Sequence, residues 1–260
     1  MLHYTLTAPR PTVVLLLHGY GEDSRMWQYF SRGLLKDFQI LRADLPGFGK
    51  SPLTEATSIA DMARAIKEIL DTEGIEKLIF VGHSMGGYVA TEFAKQFPQM
   101  LQGLCLFHSH PFADTRETVK KRTKSAAFIS DKTKAIYTQQ LFDTIFPAAF
   151  PDRKLKEKLA ARAAAFPTQG LINGQLAMRD RADNADVLRG LNCPVQFIIG
   201  SEDSAVSTEF NRAQTHLPDT ADIQIFPHMG HMGMFENPSE TKRVMKAFLH
   251  FCKDFSRISA

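Results

Sequence analysis

Six short apolar runs recur along the chain, and most are unbroken: "TVVLLLHG" (12–19), "FQILRAD" (38–44), "KLIFVG" (77–82), "LQGLCLFHS" (101–109), "CPVQFIIG" (193–200) and "ADIQIFP" (221–227). A strand with one wet face alternates apolar and polar residues. An unbroken run is what a parallel strand covered on both faces requires. Helix-like segments separate the runs. In "SIADMARAIKEILDTEG", Ser58 is the expected N-cap, apolar residues recur every three to four positions, and Gly74 is the stop. "MGGYVATEFAKQFP" is ended by Pro98, and "NPSETKRVMKAFLHFCKDF" has Pro238 near its start. Strand and helix in alternation imply a mostly parallel central sheet flanked by helices and joined by right-handed crossovers. At 260 residues the chain is long enough to build one large core of this kind.

Residues 112–190 break the rhythm. No strand signal occurs there, and helix-like pieces such as "TRETVKKRTKSAAFI" and "DRKLKEKLAARAAAF" are separated by Pro147, Pro151 and Pro167. This stretch holds 15 Lys and Arg against 9 Asp and Glu, a balance of +6, while the whole chain carries only +3. The expected division is a core from 1–111, a helical cap inserted over 112–190, and a resumed core from 191–260.

The run at 77–82 leads into Gly82-His83-Ser84-Met85-Gly86 and then into a helix, the setting in which G-x-S-x-G makes a nucleophile elbow. A serine at so tight a corner sits in a strained backbone. Side chains two residues either side of it would strike the adjoining strand and helix, which is why glycine occupies 82 and 86. The turn presents the Ser84 hydroxyl at a helix N-terminus, where negative charge is favoured.

A serine hydroxyl needs a base, and the base needs an orienting acid. Acid and base are expected after later strands, in the order Ser, Asp or Glu, His. "SEDSAV" follows one strand and "HMGHMGMFENP" follows the next, both at the sheet edge where ligands bind. Asp203, with Glu202 beside it, and His231, with His228 nearer the strand, are the candidates. The rival reading is a metal site on His108, His110, His228 and His231, which no helical histidine pair or carboxylate partner supports. The oxyanion is expected to take N–H bonds from Met85 and from Tyr20 in "HGYGEDSRMW", where Gly19 and Gly21 turn the backbone inward. Gly19 and His108 are expected to contact substrate, His108 at the pocket mouth.

The pieces "LLLHGYGEDSRMW", "DLPGFGKS" (44–51), "VGHSMGGYVA", "GSEDSAV" and "GHMGMFENP" together resemble the α/β-hydrolase superfamily, in its small, cap-bearing, serine esterase-like branch. The resemblance implies a triad of Ser84, His231 and Asp203, which decides between Asp203 and Glu202, and it implies no cofactor and no metal. It implies a structural role for Asp44. "DLPGFGKS" is no phosphate-binding loop, since Pro52 follows where a helix would have to open. Members of the family usually begin with a two-stranded hairpin; about eleven residues precede "TVVLLL" here, room for one strand.

A serine elbow separates this chain from relatives that use aspartate there. Similar serine-bearing proteins hydrolyse esters, lactones or thioesters, cleave C–C bonds of dienoic acids, make peracids, or act only as receptors. The expected function is a serine hydrolase acting on carboxylic ester, thioester or lactone bonds of a small, largely apolar substrate. The alternatives are a C–C hydrolase or lyase, for which Arg116, Arg122 and Arg179 are candidate carboxylate contacts, and a ligand-binding receptor. Phe112, Phe128, Tyr137, Phe142, Phe146, Phe150 and Phe166 are read mainly as cap core, and Trp27 as packing near the pocket wall or the cap.

The remaining features exclude partners. The +3 charge is too mild for nucleic acid, and no run is long enough to span a membrane. The N-terminal stretch shows no secretory pattern. Cys105, Cys193 and Cys252 are few and far apart, with no zinc pattern. A cytoplasmic monomer or homodimer acting on a small molecule is the expectation.

Overall fold

The structure is a computed structural model; it describes residues 1–54 and 58–258, with side chains described up to Phe255. A seven-stranded sheet forms its centre: β1 (Tyr4–Leu6), β2 (Val13–Leu17), β3 (Gln39–Ala43), β4 (Leu78–His83), β5 (Leu101–Phe107), β6 (Val195–Gly200) and β7 (Ala221–Phe226). Their order across the sheet is β1-β3-β2-β4-β5-β6-β7. All neighbours are parallel except β1, which runs antiparallel to β3. All six apolar runs are strands, and a single strand, β1, precedes "VVLLL", as the short leader predicts.

Every residue of β2, β4 and β6 is buried, as unbroken apolar strands demand. β7 departs from that reading. It is the sheet edge, its residues are only half-buried or exposed, and Ile225 is 64% exposed. With β6 on one side only, an apolar run does not guarantee burial.

Among the described residues the α-helices longer than four residues are α1 (Ile59–Thr72), α2 (Met85–Gln96), α3 (Arg116–Phe128), α4 (Lys134–Ile145), α5 (Arg153–Ala164), α6 (Thr168–Arg179), α7 (Ala185–Arg189), α8 (Thr208–Gln214) and α9 (Pro238–Ile258). Ser58 caps α1 through a reciprocal box, its hydroxyl accepting from the Asp61 N–H and its own N–H donating to the Asp61 carboxylate. Right-handed crossovers place α1, α2 and α8 on one face of the sheet. The strand order steps one way across the sheet from β2 to β3 and the other way from β4 onward, and α9 returns to the other face. There Lys246 pairs with Asp37 at 2.8 Å, and the Phe38 ring packs on His250 at 5.1 Å.

Helices α3–α7 all lie between β5 and β6, the inserted helical cap. Within it α4 packs on α5 and α3 on α6. Thr115 and Asp152 cap α3 and α5 by accepting backbone N–H bonds. Phe142, Phe146 and Phe166 are buried inside it, whereas Phe128 is 45% exposed. The cap is tied to the core by Arg181. Its Nε donates to the Phe112 carbonyl at 3.0 Å, and its guanidinium lies 3.8 Å from the Tyr88 ring centre. No helix among the described residues is long and apolar enough to cross a membrane.

Candidate active site

The corner between β4 and α2 has the backbone its sequence demands. Ser84 has φ 49° and ψ −115°, outside the regions comfortable for an L-residue. The strain is held by its neighbours: the Ser84 N–H donates to the Phe107 carbonyl, and the Ser84 carbonyl accepts from the Gly87 N–H and the Ser109 hydroxyl. A Cβ at Gly82 would lie 2.4 Å from the Gly86 carbonyl oxygen, and one at Gly86 would lie 2.6 Å from that of His18. No side chain fits at either position. Ser84 itself is half-buried.

His231 and Asp203, 28 residues apart in sequence, meet beside it. His231 Nδ1 donates to Asp203 Oδ2 at 2.8 Å and approaches Oδ1 at 3.0 Å. Asp203 Oδ1 also accepts the N–H groups of Ala205 and Val206, which orients the carboxylate. Burial acts to raise the Asp203 carboxyl, but the charges and hydrogen bonds of His231 and His108 hold it far below the usual carboxylate range. Burial acts to lower His231. The Asp203 charge and hydrogen bond outweigh it, and with Glu22 and Glu236 they raise the imidazole above its ordinary value.

The rivals lie elsewhere. Glu202 turns outward and pairs with the exposed His228 at 3.0 Å. His110 is buried against Phe112, Phe210 and Tyr88. Among the described residues no group of three or more His, Cys, Asp or Glu is arranged to hold a metal ion.

A cavity of about 90 Å³ is lined by Ser84 and His231 together with Tyr20, Glu22, His83, Tyr88, Arg122, Leu141, Ile145, Gln175, Met178 and Ala205. It shares Arg122, Leu141, Ile145, Gln175 and Ala205 with a groove of about 500 Å³ on the cap surface. Arg122 therefore stands where the two spaces join. Its Nε donates to Asp114 at 2.5 Å, and the same carboxylate accepts from Arg181 Nη1 at 2.5 Å. Of the three arginines singled out in the sequence, Arg122 alone lines the cavity. Arg116 is exposed, and Arg179 pairs with Asp180.

The loop expected to supply the second oxyanion donor is placed by its side chains. Tyr20 lines the cavity, donates its hydroxyl to the Leu171 carbonyl at 2.9 Å, and packs on Phe48 and Tyr137. Met85 opens α2, where the first N–H groups have no partner within the helix. Two expected substrate contacts lie away from the cavity lining. The Gly19 N–H donates to Glu22 Oε2 at 3.2 Å, and a Cβ there would meet His83 Nδ1 at 2.6 Å; Gly19 packs the loop and is not among the cavity-lining residues. His108 is 1% exposed and lies behind Asp203, its Nδ1 3.4 Å from Oδ2, away from the pocket mouth. The strand it ends is covered by the loops of its neighbours, so leaving a strand tip does not mean reaching the cavity.

Asp44 is structural. It accepts from the N–H groups of Ser24 and Lys50 and meets His3 Nδ1, pinning the "DLPGFGKS" loop. Trp27 is fully buried in the core between Phe30 and Phe107. Apart from Arg122, the cap residues that line the cavity, Leu141, Ile145, Gln175 and Met178, carry no mark in the sequence. Helical periodicity identifies an apolar face without saying what it faces.

Relatives agree with this architecture. The chain is 27% identical over 231 residues to a 2-succinyl-6-hydroxy-2,4-cyclohexadiene-1-carboxylate synthase of Enterobacter sp., covering 87% of each protein. It spans 63% and 45% of the length of two further relatives. Its structure superposes on a thermophilic esterase from Thermogutta terrifontis, solved with malate bound, with a TM-score of 0.90 and 25% identity, over 96% of this chain and 93% of that one. An enol-lactonase from Burkholderia xenovorans shares the fold with a TM-score of 0.87 and 20% identity, over 96% of both chains. The family model described as alpha/beta hydrolase fold matches residues 12–238, so the chain belongs to the α/β-hydrolase family.

Proposed function

We propose that this protein is a serine hydrolase that cleaves the carboxylic ester, thioester or lactone bond of a small substrate through an acyl-enzyme on Ser84. One observation carries the reading: the strained Ser84 and His231, whose Nδ1 is held by Asp203, line a single cavity under the cap. With Nδ1 of His231 committed to Asp203, Nε2 is left to act as base. Ser84 Oγ attacks the carbonyl carbon and gives its proton to His231. Asp203 holds the imidazolium, and the N–H groups of Met85 and Tyr20 bond the oxyanion. Collapse breaks the bond to the leaving oxygen or sulfur, which takes the proton from His231. Water then attacks the acyl-enzyme with His231 again as base. Residues 112–190 act as the cap that selects the substrate.

The cavity wall is mixed. Leu141, Ile145 and Met178 suit an apolar acyl or alkyl group, while Arg122 and Gln175 suit a polar or anionic end. Arg122 also favours a second reading, a C–C hydrolase or lyase acting on a carboxylate with the same triad, in keeping with the name of the Enterobacter relative.

Intact mass after treatment with a fluorophosphonate, with Ser84→Ala in parallel, tests the nucleophile. One adduct on the parent and none on the variant is the expected result; a folded parent without an adduct rejects the proposal. Turnover of a vinylogous diketo acid with no turnover of p-nitrophenyl esters would favour the second reading.

A further inference from the structure

Three histidines converge at one side of the cavity, His83 and His231 in its wall and His108 behind them, and only His231 belongs to the triad proposed above. The rings of His83 and His108 lie 5.0 and 5.8 Å from that of His231. His83 holds the His231 loop by its backbone: Nε2 donates to the His231 carbonyl at 2.9 Å, and Nδ1 meets Glu22 Oε2 at 2.9 Å. His108 meets the same loop two residues later and, unlike His83, also faces the acid.

The ring of His108 can carry its proton on one nitrogen only. Its Nε2 accepts the N–H of Gly233 at 3.3 Å, so that nitrogen bears a lone pair. The proton therefore sits on Nδ1, 3.4 Å from Asp203 Oδ2. Nδ1 is buried and, among the described residues, has no partner at full hydrogen-bonding geometry; Asp203 Oδ2 is the acceptor that faces it. Oδ1 of Asp203 is committed to the Ala205 and Val206 N–H groups, so Oδ2 is the oxygen that both imidazoles face. The backbone reinforces the placement. His108 has φ 50°, costly for a residue with a side chain, and its N–H donates to the Ile198 carbonyl of β6. Gly233 is needed for the approach, since a Cβ there would stand 2.6 Å from His108 Nε2.

We propose that His108 is a positioning residue that acts through Asp203, a neutral ring whose Nδ1–H turns Oδ2 toward His231 and takes a share of its charge. Resting on the triad reading above, this assigns no contact with substrate to His108. Burial keeps the ring neutral by lowering it to about 4, against the pull of Asp203 and with the charges of His231 and His83. The other charged groups acting on His231 are Asp203, Glu22 and Glu236, from the loops around it. A carboxylate relieved of one N–H donor holds a proton on its remaining partner more strongly. Losing the His108 donor therefore raises the proton affinity of His231.

The test compares His108→Leu, which removes the donor, with His108→Asn, whose amide nitrogen stands where Nδ1 stood and whose side chain tolerates positive φ. The readout is the acid limb of kcat/KM for a p-nitrophenyl ester. The Leu variant is expected to move its midpoint to higher pH by about 0.5–1 unit, an order-of-magnitude value for one hydrogen bond to an ionised group. The Asn variant is expected to keep the parent midpoint. Equal losses of kcat in both variants with an unmoved midpoint would show a packing role only and overturn the proposal. A second measurement needs no variant: long-range ¹H–¹⁵N correlation on the labelled protein at neutral pH should show the Nδ1–H tautomer at His108, and the Nε2–H tautomer would overturn it. A parent protein that hydrolyses no ester but shows the Nδ1–H tautomer places the failure in the proposed function and leaves the His108 geometry standing.

Discussion

The ring of His83 bridges Glu22 and the backbone of His231: Nε2 donates to the His231 carbonyl and Nδ1 meets the Glu22 carboxylate, each at 2.9 Å. A carbonyl can only accept, so Nε2 is the donor in that contact. Glu22 also takes the Gly19 N–H. The loop after β2, the elbow after β4 and the loop after β7 are thereby joined by one side chain, at the variable position of G-x-S-x-G.

His83→Phe, which keeps the bulk and removes both bonds, should release the His231 carbonyl. A displacement of about 1 Å at a reacting group costs roughly 100-fold, so kcat should fall by about that factor while KM changes little. Steady-state kinetics on a p-nitrophenyl ester check it. An unchanged kcat would show that the His231 loop needs no such tie.

Ser84→Ala should reduce turnover by a factor on the order of 10⁴ or more with the fold intact, and His231→Ala and Asp203→Asn should be similarly damaging. Glu202→Gln should have little effect, because Glu202 pairs outward with His228. A Glu202 variant far worse than Asp203→Asn would put the acid one residue earlier.

The pH profile follows from the direction of the His231 shift. The base works when neutral, and its pKa is raised, so kcat/KM should climb with pH to a midpoint above about 6.5, the ordinary imidazole value. A midpoint below that value would contradict the Asp203 pairing as the dominant influence.

Arg122→Gln should discriminate between substrates. The Asp114 carboxylate is shared by Arg122 and Arg181, so two cations face one anion at the wall where cavity and groove join. For an ester bearing a carboxylate on its acyl chain, kcat/KM should fall about 10-fold or more, the scale of one charge-assisted hydrogen bond. The neutral ester of equal length should be nearly unaffected. Equal losses for both would make Arg122 a structural cation.

Acid should destabilise the protein through His108. Its folded pKa of about 4 lies below the ordinary imidazole value of about 6.5, so the unfolded chain binds more protons between those values. Stability is then fully present above about pH 6.5 and is lost as pH falls toward 4. Denaturant midpoints across that window should decline in the parent and decline less steeply in His108→Asn, which has no imidazole to charge.

Much of this molecule is local in origin. An unbroken apolar run such as "VVLLL" suits a covered strand, and Ser58 with Asp61 three residues on can close a helix N-terminus, because both depend on neighbours in sequence. The elbow is local too: Gly82 and Gly86 are required by contacts within a few residues and with the adjoining strand. Other features were decided by packing across long separations. The sheet order put Asp203 rather than Glu202 against His231, left β7 as an edge with Ile225 in solvent, and turned His108 inward behind the acid. The folding of the cap brought Arg122, rather than Arg116 or Arg179, to the cavity. Each of these depends on which strand or helix lies alongside, a relation between residues tens to more than a hundred positions apart. Periodicity and capping record what surrounds a residue along its own element, whereas the chemistry here is made by residues that meet only once the crossovers and the cap have closed around the sheet.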